Sequence, residues 1–170
     1  MNPDTVNVRT AGAHDVADIV RIYNHGITSR QGTFDTTLRE AADVEGWLTQ
    51  ASRYPVLVAE AEGQVVGFAR LFEYRPRACY AGIAEFSIYL DPLVQGKGVG
   101  SLLLSALLAA ARDAGFHKVL SRIFTFNQAS RALCRKLGFR EVGVYERHGQ
   151  LDGRWLDVVV VEYLTDAQQD

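Results

Sequence analysis

Residues 85–101 read EFSIYLDPLVQGKGVGS, and the order of the parts in this stretch leaves few choices for the chain around it. An apolar, β-branched and aromatic run at 86–90 stops at Asp91-Pro92. The loop Gln95-Gly96-Lys97-Gly98-Val99-Gly100 follows, and a long helical pattern opens at Ser101. A strand that feeds a glycine-rich loop into a helix brings the helix's unpaired N–H groups together at one point. The positive end of the helix dipole adds to them, and glycine lets oxygen atoms approach the backbone closely. The stretch therefore reads as a phosphate cradle.

The chain has 170 residues, enough for one domain (1–170) with a core that needs no covalent staples. A formal net charge of −2 argues against a nucleic-acid partner, which would call for a concentrated basic surface. The two cysteines, Cys79 and Cys134, are too few for a disulfide framework or a zinc site, so no metal is expected. The amino terminus lacks the basic, apolar, small-residue order of a signal peptide, and no apolar run approaches a membrane span. A cytoplasmic protein with no membrane partner is the expectation.

Alternation at Val6 and Val8 predicts a first strand, and helical spacing of Val16, Ile19, Val20, Tyr23 and Ile27 predicts a helix over 14–27. A second helix is predicted over 40–52, followed by strands 55–61 and 64–73 around a two-residue Glu62-Gly63 turn. Strand 80–90 leads into the glycine loop. A helix over 99–114, closed by Gly115, precedes strand 118–126 and a short helix 127–137 with Asn127 as its N-cap. Strands 139–147 and 155–164 end the chain, joined by a polar loop containing Asp152-Gly153. The order βααβββαβαββ predicts an α/β (α+β) domain: a mixed, mostly antiparallel sheet of about seven strands flanked by helices.

Two phosphate-binding patterns fit the loop badly. A mononucleotide P-loop needs a glycine where Asp91 stands and a Ser or Thr after Lys97, where Gly98 stands. A dinucleotide fingerprint starting at Gly96 finds Ser101 at its last glycine position, and no acidic residue ends the following strand. A third pattern covers nearly the whole chain. Residues 95–100 resemble the Q/R-x-x-G-x-G/A pyrophosphate loop of the GNAT superfamily of acetyl-CoA-dependent N-acetyltransferases. Asn127-Gln128-Ala129-Ser130 and Leu137-Gly138-Phe139 resemble that family's N-x-x-S helix and terminal L-G-F. Gly32-Thr33-Phe34, Arg53-Tyr54-Pro55, Glu85 and 153–158 (GRWLDV) are similar to the phosphinothricin acetyltransferase branch.

Glu85 interrupts an apolar strand. From patterning alone it is either a surface glutamate or a carboxylate placed for proton transfer. The resemblance implies the latter, a general base for the attacking amine. It also implies that acetyl-CoA is the acetyl donor. Its pyrophosphate would lie on Gln95, Gly96, Lys97, Gly98, Val99, Gly100 and Ser101, and its arm along Ile88, Tyr89 and Leu90, with Asn127 and Ser130 beside it. The plainer roles are helix N-cap for Asn127, which could serve both, and first-turn polar residue for Ser130. Arg75 and Arg77 are either solvated loop arginines or a fork for an anionic substrate. Phe34 is either core or a wall of the same pocket. The branch acts on small amino acids or anionic analogues of the phosphinothricin or methionine sulfoximine type, and forms homodimers. Two rival functions are open: a protein N-terminal or lysine acetyltransferase, and a non-catalytic acyl-CoA sensor. A tyrosine that many family members carry in the short late helix is replaced here by Cys134, so no general acid is assigned.

Overall fold

In the strand at Val56–Ala61, Val56 and Val58 face one way and Leu57, Ala59 and Ala61 the other, and the two sets enter different cores. That alternation sets the three-layer build of the molecule. The computed structural model describes residues 2–167. Its elements are β1 (Val6–Thr10), α1 (Val16–Ser29), α2 (Ala41–Thr49), β2 (Val56–Ala61), β3 (Gln64–Glu73), β4 (Ile83–Leu90), α3 (Val99–Asp113), β5 (Lys118–Phe124), α4 (Gln128–Lys136), β6 (Arg140–Leu151) and β7 (Arg154–Leu164).

The seven strands form one sheet in the order β1-β2-β3-β4-β5-β7-β6, with β4–β5 its parallel pair and the other neighbours antiparallel. The predicted element order and sheet type are those observed. On one face α1 and α2 bury Ile19, Ile22, Tyr23, Ile27 and Val44 against Val56, Val58 and Phe68. On the other, α3 buries Leu103, Leu104 and Leu107 against Leu71, Ala84 and Phe86. Each such leucine contributes about 2 kcal/mol through its removal from water. No helix among the described residues is long and apolar enough to cross a membrane.

Differences from the sequence expectation lie at the joins. The segment expected to start β4 at residue 80 is a 3-10 turn at Ala78–Tyr80, and pairing begins at Ile83. The polar loop expected between the last strands is mostly strand. β6 runs on to Leu151, and Asp152-Gly153 is a tight two-residue turn with φ of 50° and 77°. Pairing resumes at Gly149↔Leu156 after a bulge, where the Arg147 N–H donates to Asp157 Oδ1 at 2.7 Å. Arg147, His148 and Gly149 carry no apolar alternation, so the sequence offers no sign of this extension.

Candidate active site

The parallel seam opens after three residues. Ile83, Ala84 and Glu85 pair with Lys118, Val119 and Leu120, and there the β4–β5 register ends. β4 nevertheless stays paired with β3 on its other side as far as Leu90. At the point of divergence the Ser121 hydroxyl donates to the Phe86 carbonyl at 3.1 Å, standing in for a strand partner. Beyond it, the β5-facing backbone groups of β4 look into a cleft of about 650 Å³. A polar backbone edge beside such a space favours an extended ligand that can bond to it.

The glycine loop closes one end of this cleft. Gly96 and Gly98 have φ of 76° and 83°, values that other residues adopt only at a cost. The first backbone bond of α3 runs from the Leu102 N–H to the Gly98 carbonyl. The amides of Val99, Gly100 and Ser101 therefore have no preceding turn to bond to and are available to an anion. Across from them, Lys136 Nζ lies 3.2 Å from Ser101 Oγ. A cation at a helix N-terminus is disfavoured by the dipole unless a negative group joins them. Asn127 caps α4, its Oδ1 accepting from the Ser130 N–H at 3.1 Å while its Nδ2 donates to the Gln31 carbonyl at 3.3 Å. These groups suit a pyrophosphate with an amide-bearing arm, and the residues present therefore fit acetyl-CoA.

Of the residues named from sequence for the donor, all but Lys97 and Val99 line the cleft. Val99 points into the core. Cys134 is also on the wall, and burial pushes its thiol up to about 12. Tyr89 lies against Tyr23, with ring centroids 4.7 Å apart. The ring also packs over α1 at Gly26, where any Cβ would fall 2.6 Å from Tyr89 Cδ1.

Glu85 is 4% exposed. Both of its oxygens accept from one guanidinium nitrogen of Arg122, at 2.9 and 3.0 Å. Arg122, not Glu85, lines the cleft, so the carboxylate stands one hydrogen bond behind its wall. Sequence reasoning missed Arg122. No local sequence signal marks it, since Arg122 shares the face of Glu85 only through the Glu85↔Leu120 pairing of two distant strands. Phe34 packs edge-on against Phe124 at 4.8 Å within a small core cluster with Leu151 and Val158, and is not among the residues that line the cleft. Arg75 and Arg77 line a separate, smaller hollow with Arg53, Glu73 and Tyr80, beyond the other end of β4. Within this chain the two arginines and the cleft are therefore not brought together. No group of His, Cys, Asp and Glu side chains among the described residues could hold a metal ion.

Known proteins resemble the chain across most of its length. The model of the acetyltransferase (GNAT) family matches residues 19–139. An L-methionine sulfoximine/L-methionine sulfone acetyltransferase of Pseudomonas aeruginosa is 35% identical over 165 residues, covering 95% of this chain and 96% of the relative. A phosphinothricin acetyltransferase from Sinorhizobium meliloti, crystallised with acetyl-CoA, superposes with a TM-score of 0.88 at 33% identity, over 94% of this chain and 88% of that one. A ribosomal-protein-alanine N-acetyltransferase from Brucella melitensis gives 0.90 at 35% identity, over 94% and 99%.

Proposed function

The chain belongs to the acetyltransferase (GNAT) family and is an acetyl-CoA-dependent N-acetyltransferase, and from that premise we propose that its acceptor is the primary amine of a small amino acid or an anionic analogue, acetylated in the cytoplasm. The observation that carries this reading is the opening of the β4–β5 seam directly above a buried, ion-paired glutamate. One side of the opening offers free amides to the donor, and the other meets the face that carries Glu85. Relatives that act on methionine sulfoximine and phosphinothricin support the choice of acceptor.

Acetyl-CoA, when bound, supplies the activated acetyl group. Gly96, Gly98, Gly100, Ser101 and Lys136 would hold its pyrophosphate, and the open backbone edge at Ile88, Tyr89 and Leu90 its arm. An amine at neutral pH carries a proton that must leave before attack. Glu85 takes that proton in this reading, through a water because it lies behind Arg122. A backbone N–H near the end of β4 donates to the carbonyl oxygen as negative charge gathers there. Arg122 fixes the carboxylate on the acceptor face.

The test is CoA release over a panel of free amino acids, methionine sulfone, phosphinothricin and peptide amino termini. The free acceptors are expected to turn over and the peptides not. Glu85→Gln should lower kcat at pH 7 by about 10²-fold or more, the scale of a lost general base. The loss should shrink at high pH, where the amine is already deprotonated. Full activity of Glu85→Gln at pH 7 would remove the base assignment. The likeness to a ribosomal-protein-alanine acetyltransferase supports a second reading, in which the peptide arm is the productive one. We further propose a homodimer, supported by the exposed apolar residues Val142, Val144, Tyr145 and Trp155.

A further inference from the structure

A half-buried guanidinium with no ion-pair partner among the described residues sits on the acceptor face. Arg70 of β3 pairs directly with Ser87 of β4, which puts it on the face shared by Ser87 and Glu85. Its guanidinium carbon lies 3.9 Å over the Trp47 ring and 4.7 Å from that of Phe72. Its Nε is sealed from solvent and has no hydrogen-bond partner, and no carboxylate pairs with it among the described residues. Burial holds the group down to about 10, against the ordinary arginine range. A second orphan lies close by. Arg39 Nη2 reaches Asp35 Oδ2 at 3.1 Å, but its buried Nε is also unpartnered. That same Asp35 oxygen accepts from the Tyr23 hydroxyl at 2.6 Å. The carboxylate that Arg39 reaches is thus already engaged by Tyr23, and no ion pair reaches Arg70 among the described residues.

Folding seldom leaves a desolvated charge without a partner, because the loss of hydration is not returned. Aromatic faces recover part of it and fix the plane of the fork, yet leave the N–H edge free. Such an edge suits the two oxygens of an oxyanion. We propose that Arg70 is an acceptor-specificity residue whose guanidinium, held flat on Trp47, takes an oxyanion of the incoming amino acid. In an α-amino acid the carboxylate and the amine share one carbon. A carboxylate fixed at Arg70 therefore brings the amine beside Ser87, on the cleft wall, and near Glu85. A side-chain phosphinate would bind by the same chemistry. The inference rests on the amino-acid acceptor reading above.

The test measures kcat and KM at saturating acetyl-CoA for L-methionine sulfone, its α-carboxamide and phosphinothricin, with wild type, Arg70→Met and Arg70→Lys. Arg70→Met should raise the KM for methionine sulfone about 30-fold with little change in kcat, the size of a lost charge-assisted bond. It should leave kcat/KM for the carboxamide unchanged, and Arg70→Lys should recover part of the loss. Equal losses for phosphinothricin and methionine sulfone identify the α-carboxylate as the bound group. A loss confined to phosphinothricin identifies its phosphinate. The KM for acetyl-CoA reports the integrity of the fold, and should Arg70→Met not fold, Arg70→Lys is read in the same way. Equal losses on the carboxamide, or none on the acids, overturn the proposal. A wild type that acetylates peptides but no amino acid overturns the acceptor reading and this inference with it.

Discussion

Asp15 and Glu85 are the buried charged side chains of the described residues, and their partners differ in kind. Asp15 accepts from both terminal guanidinium nitrogens of Arg9 at 2.8 Å and from the Gly12 N–H at 2.8 Å, while Arg9 Nε turns to Glu60 at 2.8 Å. Three N–H donors converge on this one carboxylate, which is how a structural ion pair ties the end of β1 to the start of α1. Glu85 leans on a single nitrogen of Arg122, at the wall of the cleft, and keeps acceptor capacity for a water or an amine. A stability prediction belongs to the first of these. The Arg9 hydrogen bonds hold the Asp15 carboxyl below the usual carboxylate range, with the Gly12 amide helping. A depressed carboxylate adds stability above its unfolded pKa of about 4 and loses it as pH falls through the folded value. Asp15→Asn should therefore cost about 2 kcal/mol at pH 7, and the gap to wild type should narrow by pH 3. Urea denaturation at both pH values measures it, and a gap equal at both would show that the charge contributes nothing.

At the scale of the element, the glycine loop and α3 form the unit whose geometry the ligand depends on. Gly98 precedes the first turn at φ 83°, with the open amides just beyond it. Gly98→Ala should cost about 1 kcal/mol of stability through that backbone angle. It should also weaken acetyl-CoA more than the fold, because a shifted loop re-aims several amides together. The expected readout is a thermal midpoint that rises less on adding saturating acetyl-CoA than it does for wild type. An equal rise in both would show that the loop does not hold the donor. This element was legible because each of its signals is local: a strand, a glycine hexad and a helical stripe, all within 85–113. The Glu62-Gly63 turn was legible for the same reason, both residues having positive φ. Asn127 was read correctly as a cap from its place before an amphipathic helix. What local signals omit is register. Nothing in β4 or β5 states that their pairing stops at Glu85↔Leu120, since that depends on where two distant strands diverge. Arg70 and Arg122 were passed over because each stands in an ordinary strand pattern. Their meaning arises only when β3, β4 and β5 lie side by side.

Considered as a whole molecule, the sheet is covered unevenly. The helix layers sit over β2, β3, β4 and β5, and the packing thins toward β6, which ends the sheet. β6 is exposed along nearly its whole length, and Val142, Val144 and Tyr145 are 46%, 51% and 50% exposed, with Trp155 of β7 at 57%. A long edge strand with apolar residues invites pairing with another chain unless something blunts it. Charges at Arg140, Glu141, Glu146 and Arg147 supply part of that protection, which favours a defined partner over open-ended aggregation. A second copy meeting this edge around a two-fold axis would close the arrangement, because each chain presents the same strip to the other. Wild type should therefore sediment at twice the chain mass at about ten micromolar, the range expected for a self-complementary apolar contact. Val144→Arg places a charge in the middle of that strip without touching the cleft, and should sediment at the mass of one chain. Acetyl-CoA binding by the monomeric variant should be kept, since every group assigned to the donor lies on β4, the glycine loop, α3 and α4 of the same chain. Wild type at the mass of one chain would leave β6 as a tolerated free edge, whereas loss of donor binding in Val144→Arg would mean that the cleft takes its shape from the second copy.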